Sequence, residues 1–204
     1  MTDDHAAPHE PDGDLELFIE FANTLAFTDG VPEDRVPDAD ALHAWLEARH
    51  LAGAATRTGV ARTLTDFQSL RELIHDITGR IAADEPPTAT HLRRLNRVLR
   101  DGLHYHQLSA SEDGARFTVG QVGDDLDQAR AAIAQSLAHY VADHDIDRLR
   151  ICANDGCRWR FIDRSRAARR RWCDMTVCGN RAKVARHRAR ARESSTAGRS
   201  DGTR

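Results

Sequence analysis

The residues best suited to chemistry are four cysteines, Cys152, Cys157, Cys173 and Cys178, the only ones among 204 residues. Their spacing is C-x4-C-x15-C-x4-C. Thiolates are soft anionic donors, and a tetrahedral Zn²⁺ site needs four of them converging from two short loops. Two close pairs separated by a longer segment meet that need, because each pair forms one tight knuckle. The pattern predicts one zinc ion per chain. Two disulfides or an iron–sulfur cluster would use the same four sulfurs. Four thiolates saturate zinc and leave no open position for an activated water. The chain also lacks GxSxG, HExxH, P-loop and dinucleotide fingerprints, so the expectation is a protein that is not an enzyme.

These cysteines require a scaffold, and the flanking residues suggest one. A β-hairpin over Leu149 to Ile162 would carry Cys152 and Cys157 in its knuckle. Trp159 and Phe161 would then point the same way, to roof the metal or to stack on unpaired bases. Cys173 and Cys178 form a second knuckle, with Gly179 easing the turn. From Asn180 the chain reads as a helix, with Ala182, Ala185 and Ala189 inward. Arg181, Arg188 and Arg192 form its outer stripe, with Lys183, Arg186 and Arg190 on the flanks. Arg169, Arg170 and Arg171 add charge just before Trp172. Hairpin, knuckle and a helix bearing the last ligand resemble a treble-clef finger. A basic helix of this size can enter a major groove while the triplet holds phosphate, so duplex DNA is the expected partner. RNA binding, or a finger that docks protein, are the alternatives.

The run RRWCDMTVCGNRAKVARHR, preceded by CRWRFIDRS, closely resembles the CGNR zinc finger, with Cys178-Gly179-Asn180-Arg181 as the signature tetrad. The resemblance covers residues 148–190 and implies that the four cysteines are the metal ligands. In that family the finger follows an N-terminal ABATE domain, and the proteins are regarded as stress-induced transcription regulators. Ile19-Glu20-Phe21-Ala22-Asn23-Thr24 resembles the opening ABATE motif, which usually reads Leu-Asp-Phe-Val-Asn-Thr. Glu20 departs from it.

Charge is divided unevenly. Residues 148–204 hold 17 basic and 5 acidic side chains, against 12 basic and 27 acidic in residues 1–147. A basic tail on an acidic body suits an anionic partner, or docking of the tail on its own body. All but one of the basic residues are arginine, with Lys183 the exception, so their positions inform more than their identity. No apolar run approaches the ~18 residues of a membrane span, and the acidic N-terminus is unlike a signal peptide. The expected location is the cytoplasm, with no membrane partner.

The fold class expected is mainly α: a helical N-terminal domain with one β-hairpin, then the finger. Residues 1–13 read as disordered, 14–147 as the helical domain, 148–192 as the finger and 193–204 as a disordered tail. A first helix is expected from Asp14 to about Gly30, with Leu15, Phe18, Ile19, Ala22, Leu25 and Ala26 on one face. Asn23 and Thr24 interrupt it; they either bond a neighbouring loop or face a small-molecule pocket. Asp38 would cap a second helix bearing Leu42, Trp45 and Leu46. Residues 52–59 read as a loop, and Thr65 and Gln68 as the capping box of a long helix with Phe67, Leu70, Leu73, Ile74, Ile77 and Ile81 inward. Thr88 opens a fourth helix that Gly102 closes, and Asp124 to Asp143 form a fifth. Between them, Leu103 to Ser109 and Arg116 to Gln121 alternate like a half-buried hairpin around Asp113-Gly114. His104 and His106 share one face of it, as surface residues. The helical domain could receive a small-molecule or protein effector, and the chain could pair as a homodimer.

Overall fold

The computed structural model of the chain describes residues 16–53, 57–111, 116–143, 145–184 and 187–188. The expected disorder of residues 1–13 and 193–204 lies outside these residues, as do Leu15 and the Asp113-Gly114 turn.

A short helix, α1 (Leu17–Ala22), is surrounded by longer ones. Its Phe18 and Phe21 are almost wholly buried. Phe18 meets Tyr140 at 5.4 Å between ring centroids, and Phe21 meets Trp45 at 5.1 Å and Phe67 at 6.1 Å. Each such aromatic adds about 1.5–3 kcal/mol by leaving water. The rings come from α2 (Ala39–Glu47), α3 (Arg57–Ala82) and α5 (Asp125–Asp143). A further helix, α4 (Ala89–Asp101), packs on α5. The apolar stripe of α3 is buried as the spacing predicts, and so are Leu126, Ala129, Ile133, Leu137 and Tyr140 of α5. Asp38 caps α2 by accepting from the Ala41 N–H, and Thr88 caps α4 in a capping box completed by His91.

Three local expectations are corrected. The first helix stops at Ala22, where the backbone N–H groups of Asn23 and Thr24 close on Ile19 and Phe21 and the Thr24 hydroxyl donates to the Phe21 carbonyl at 2.7 Å. Leu25 and Ala26 belong instead to strand β1 (Leu25–Thr28), which pairs antiparallel with β2 (Val31–Asp34). The turn between them is Asp29-Gly30, with φ of 52° and 86°, the paired positive values of a two-residue hairpin turn. Next, α3 begins at Arg57, not Thr65. Fully buried Val60 anchors this added turn, so Thr65 is an interior residue and not a cap. Finally, β3 (Tyr105–Ala110) and β4 (Phe117–Val122) do pair, but not as a half-buried ribbon. Every residue of β3 is exposed, and Phe117 and Val119 are 69% and 67% exposed, because no layer among the described residues covers either face. His106 lies on this ribbon and His104 just before it, with ring centroids 6.3 Å apart.

The C-terminal hairpin is part of the body. Strand β5 (Leu149–Ile151) pairs with β6 (Arg160–Ile162) and packs on α3. Leu149 is fully buried within the main core cluster.

Candidate metal centre and nucleic-acid interface

The first knuckle connects β5 to β6. The Cys152 N–H donates to the Trp159 carbonyl at 2.8 Å, and the Cys157 N–H to the Asn154 carbonyl at 2.8 Å. Asn154 steers the turn by accepting from the Gly156 N–H. In the second knuckle Asp174 caps a π-helical turn, Met175–Gly179, accepting from the N–H groups of Thr176 and Val177. Cys178 lies in that turn, and residues 180–184 continue as helix. The Ala153 N–H donates to the Arg171 carbonyl at 2.7 Å and joins the two knuckles.

All four sulfurs lie within 4.8 Å of one another. Cys157 to Cys173 is 3.7 Å and Cys173 to Cys178 is 3.8 Å. Zinc–sulfur bonds of about 2.3 Å in a tetrahedron give edges of about 3.8 Å, so the donor set fits zinc. No pair is a disulfide. Burial pushes the Cys157 thiol up to about 11, and burial together with the neighbouring sulfurs pushes Cys173 higher still. Cys152 goes the other way: burial raises it, but the backbone N–H groups of Cys173 and Asn154 outweigh that and lower it. Thiols this crowded need a cation before all four can ionise. The Asn154 amide also donates to the Cys178 sulfur, the outer contact expected around a ligating thiolate. Among the described residues this is the only group of three or more such side chains placed to hold a metal.

The aromatic pair expected as a roof has other partners. Trp159 faces the body, with the Arg35 guanidinium 5.5 Å from its ring, and Phe161 faces Arg170 at 5.1 Å. Arg170 is turned inward. It donates to the Cys173 carbonyl at 2.5 Å, and its N–H donates to Asp163 at 2.7 Å. Arg169 to Arg171 are therefore not presented as one exposed triplet, since the Arg170 guanidinium bonds the Cys173 carbonyl. Arg169, Arg171, Lys183 and Arg188 are exposed. Arg181 is paired with Asp29 of the body at 2.7 Å. Arg186, Arg190 and Arg192, with Ala185 and Ala189, lie outside the described residues.

Asn23 and Thr24 are 4% exposed, and their polar atoms have protein partners. The Asn23 amide accepts from the Arg160 N–H at 3.0 Å and donates to the Arg160 carbonyl at 2.9 Å. One side chain thus pairs with β6 as a strand would. Thr24 accepts from Arg71, which also holds Asp34 through two bonds of 2.7 and 2.6 Å. Burial would raise the Asp34 carboxyl, but Arg71 and the Val36 N–H bring it below its usual range. Above these two residues is an open cleft of about 450 Å³, walled by Trp45 and Trp159 and rimmed by Glu16, Glu20, Arg35 and Arg49. Glu20, the departure from the usual motif, pairs with Arg49 at 2.9 Å.

Sequence reasoning missed the residues that complete this junction. The buried Arg160 side chain donates to Thr78 at 2.8 Å, and burial lowers its pKa to about 10, still well above neutrality. Burial and the Arg160 charge lower His75 to about 4, so it stays neutral and its Nε2 meets the Ala22 carbonyl at 2.8 Å. Asp163, fully buried, accepts from the N–H groups of Ser165 and Arg170. Asp29-Gly30 was readable as a hairpin turn; the others carry no local signature.

A profile for the CGNR zinc finger matches residues 148–191, and one described as "Putative stress-induced transcription regulator", the ABATE domain, matches residues 15–144. A search of curated proteins found no match to the chain.

Proposed function

The chain belongs to the ABATE family, with a CGNR zinc finger after the ABATE domain, and on that premise we propose that it is a DNA-binding transcription regulator without catalytic activity. The observation that supports this most is the placing of charge around the metal centre. Arg169, Arg171, Lys183 and Arg188 are exposed on the knuckle and helix that Cys173 and Cys178 organise. One zinc ion held by the four cysteines would fix that surface and perform no chemistry of its own. Phosphate contacts from these side chains would position the finger, and the helix after Asn180 would lie against the groove. The cleft walled by Trp45 and Trp159 spans body and finger, which makes it the place where a small effector could influence both.

The test is duplex binding by zinc-loaded full-length protein across a salt series. With about five phosphates neutralised, log K falls against log salt with a slope near −4.5, from about −0.9 per phosphate. Arg171→Ala flattens the slope by about one unit on any duplex. Salt-independent binding, or none at low salt, would contradict the proposal.

The bare β3–β4 hairpin favours a second reading, a protein-interaction adaptor. Leu108, Phe117 and Val119 share one uncovered face of it. Protein capture that Val119→Lys abolishes, by a zinc-loaded chain that ignores DNA, would select this reading.

A further inference from the structure

Two grooves meet at Arg181. One, of about 450 Å³, lies between the knuckles and is lined by Asn154, Arg171 and Trp172. The other, of about 640 Å³, runs along the helix past Asn180, Val184 and Arg188. Arg181 borders both, and so does Asp29 from the opposite end of the chain. A strand of nucleic acid passing from one groove to the other would cross Arg181, where a carboxylate already sits. Resting on the duplex-binding reading, we propose that Arg181 is a backbone-phosphate anchor and that Asp29 occupies it as the body's own substitute for a phosphate.

The substitution is built into the backbone. Asp29 and Gly30 form the tip of β1–β2, and the Gly30 N–H donates to the Gly156 carbonyl at 3.1 Å. Gly156 is tightly packed; a Cβ there would meet the Gly30 nitrogen at 3.0 Å and the Asp29 Cα at 3.1 Å. This close approach brings the Asp29 carboxylate to the guanidinium. The chemistry matches as well, since carboxylate and phosphate oxygens accept the same charge-assisted bonds from arginine. The pair is also exchangeable. Arg181 and Asp29 are 51% and 75% exposed, and ion pairs in that setting contribute little. A phosphate arriving with Arg171 and Arg188 on either side brings further contacts that a lone carboxylate lacks. The acidic tip thereby selects for a continuous polyanion over a single anion.

Two variants separate the components of this contact. Asp29→Asn keeps a side chain that tolerates a φ of 52° and removes only the charge. Gly156→Ala leaves every charge in place and crowds the tip, which must give by a few tenths of an ångström. Zinc-loaded full-length proteins would be titrated with random duplex at low salt. The proposal expects each variant to bind about two- to fivefold tighter than the wild type, the scale of one surface ion pair. Adding Arg181→Ala should erase the gain, since it acts through that residue. If the wild type binds but Asp29→Asn binds no tighter, or keeps its gain without Arg181, the proposal is overturned and duplex binding stands. If neither wild type nor Asp29→Asn binds, the duplex reading fails and the proposal with it. Should Gly156→Ala fail to hold zinc, the Asp29→Asn cycle decides alone.

Discussion

Two of the contacts between body and finger are opposite in character. At the Asn23 latch, a side-chain amide and a backbone peptide exchange two hydrogen bonds, and Arg160 and Thr78 complete the contact among buried atoms. At the Asp29 tip, an ion pair half in water stands beside one backbone bond. A buried polar group that loses its partner incurs the full cost of desolvation, whereas an exposed one turns to water. The latch is therefore a permanent weld and the tip a removable contact. On the proposal above, the finger stays fixed to the body while Arg181 exchanges Asp29 for a phosphate.

The largest effect should come from removing the element both contacts depend on. Cys173→Ser takes away one of four zinc ligands, and metal binding supplies most of the folding energy of so small a module. Residues 152–184 should lose their order and zinc content should collapse. The helices should remain by circular dichroism, less stable by a few kcal/mol because Asn23 and Thr78 lose their partners. An unaltered finger without metal would break the comparison at its root.

Next in size is the latch itself. Asn23→Leu leaves the N–H and carbonyl of Arg160 buried and unpaired, at about 1–3 kcal/mol for each group. Chemical denaturation should show a loss of about 3 kcal/mol, while zinc binding persists.

The neighbouring His75 should then give the latch a pH dependence. Its folded pKa of about 4 lies below the ordinary value of 6.5, so the unfolded chain binds more protons between these limits. The stabilising contribution is complete above pH 6.5 and is lost as pH falls towards 4, amounting to about 3 kcal/mol over that window. His75→Gln, which can still donate to the Ala22 carbonyl, should flatten stability across it. An unchanged pH profile in that variant would show that His75 is not held neutral by burial.

The smallest effect is expected at the tip. Asp29→Asn should change unfolding free energy by less than about 1 kcal/mol, even where it tightens duplex binding as proposed. A loss as large as that of Asn23→Leu would mean that the two contacts do not differ in kind.

Much of this arrangement was legible in the residues. The cysteine spacing, the flanking hairpin and the stripes of the long helices appear as read, because each is a local pattern with a local cause. The latch was not legible in detail, because the partner of Asn23 is the backbone of a residue 137 positions away, and a backbone has no sequence. The first helix was overextended for a different reason. Leu25 and Ala26 continue a helical spacing by coincidence, and that signal masked the Asp29-Gly30 turn. The exposure of β3–β4 was hidden because alternation reports a possible buried face, not the presence of anything to bury it.

Hydrogen exchange at two amides of the zinc-loaded, full-length protein tests this contrast most directly. The Arg160 N–H, bonded to Asn23, should exchange only through unfolding of the whole protein. The Gly30 N–H, bonded to Gly156, should exchange at least about 100-fold faster, through local opening of the tip. Equal protection at the two, or faster exchange at Arg160, would contradict the account of a welded latch and a removable tip.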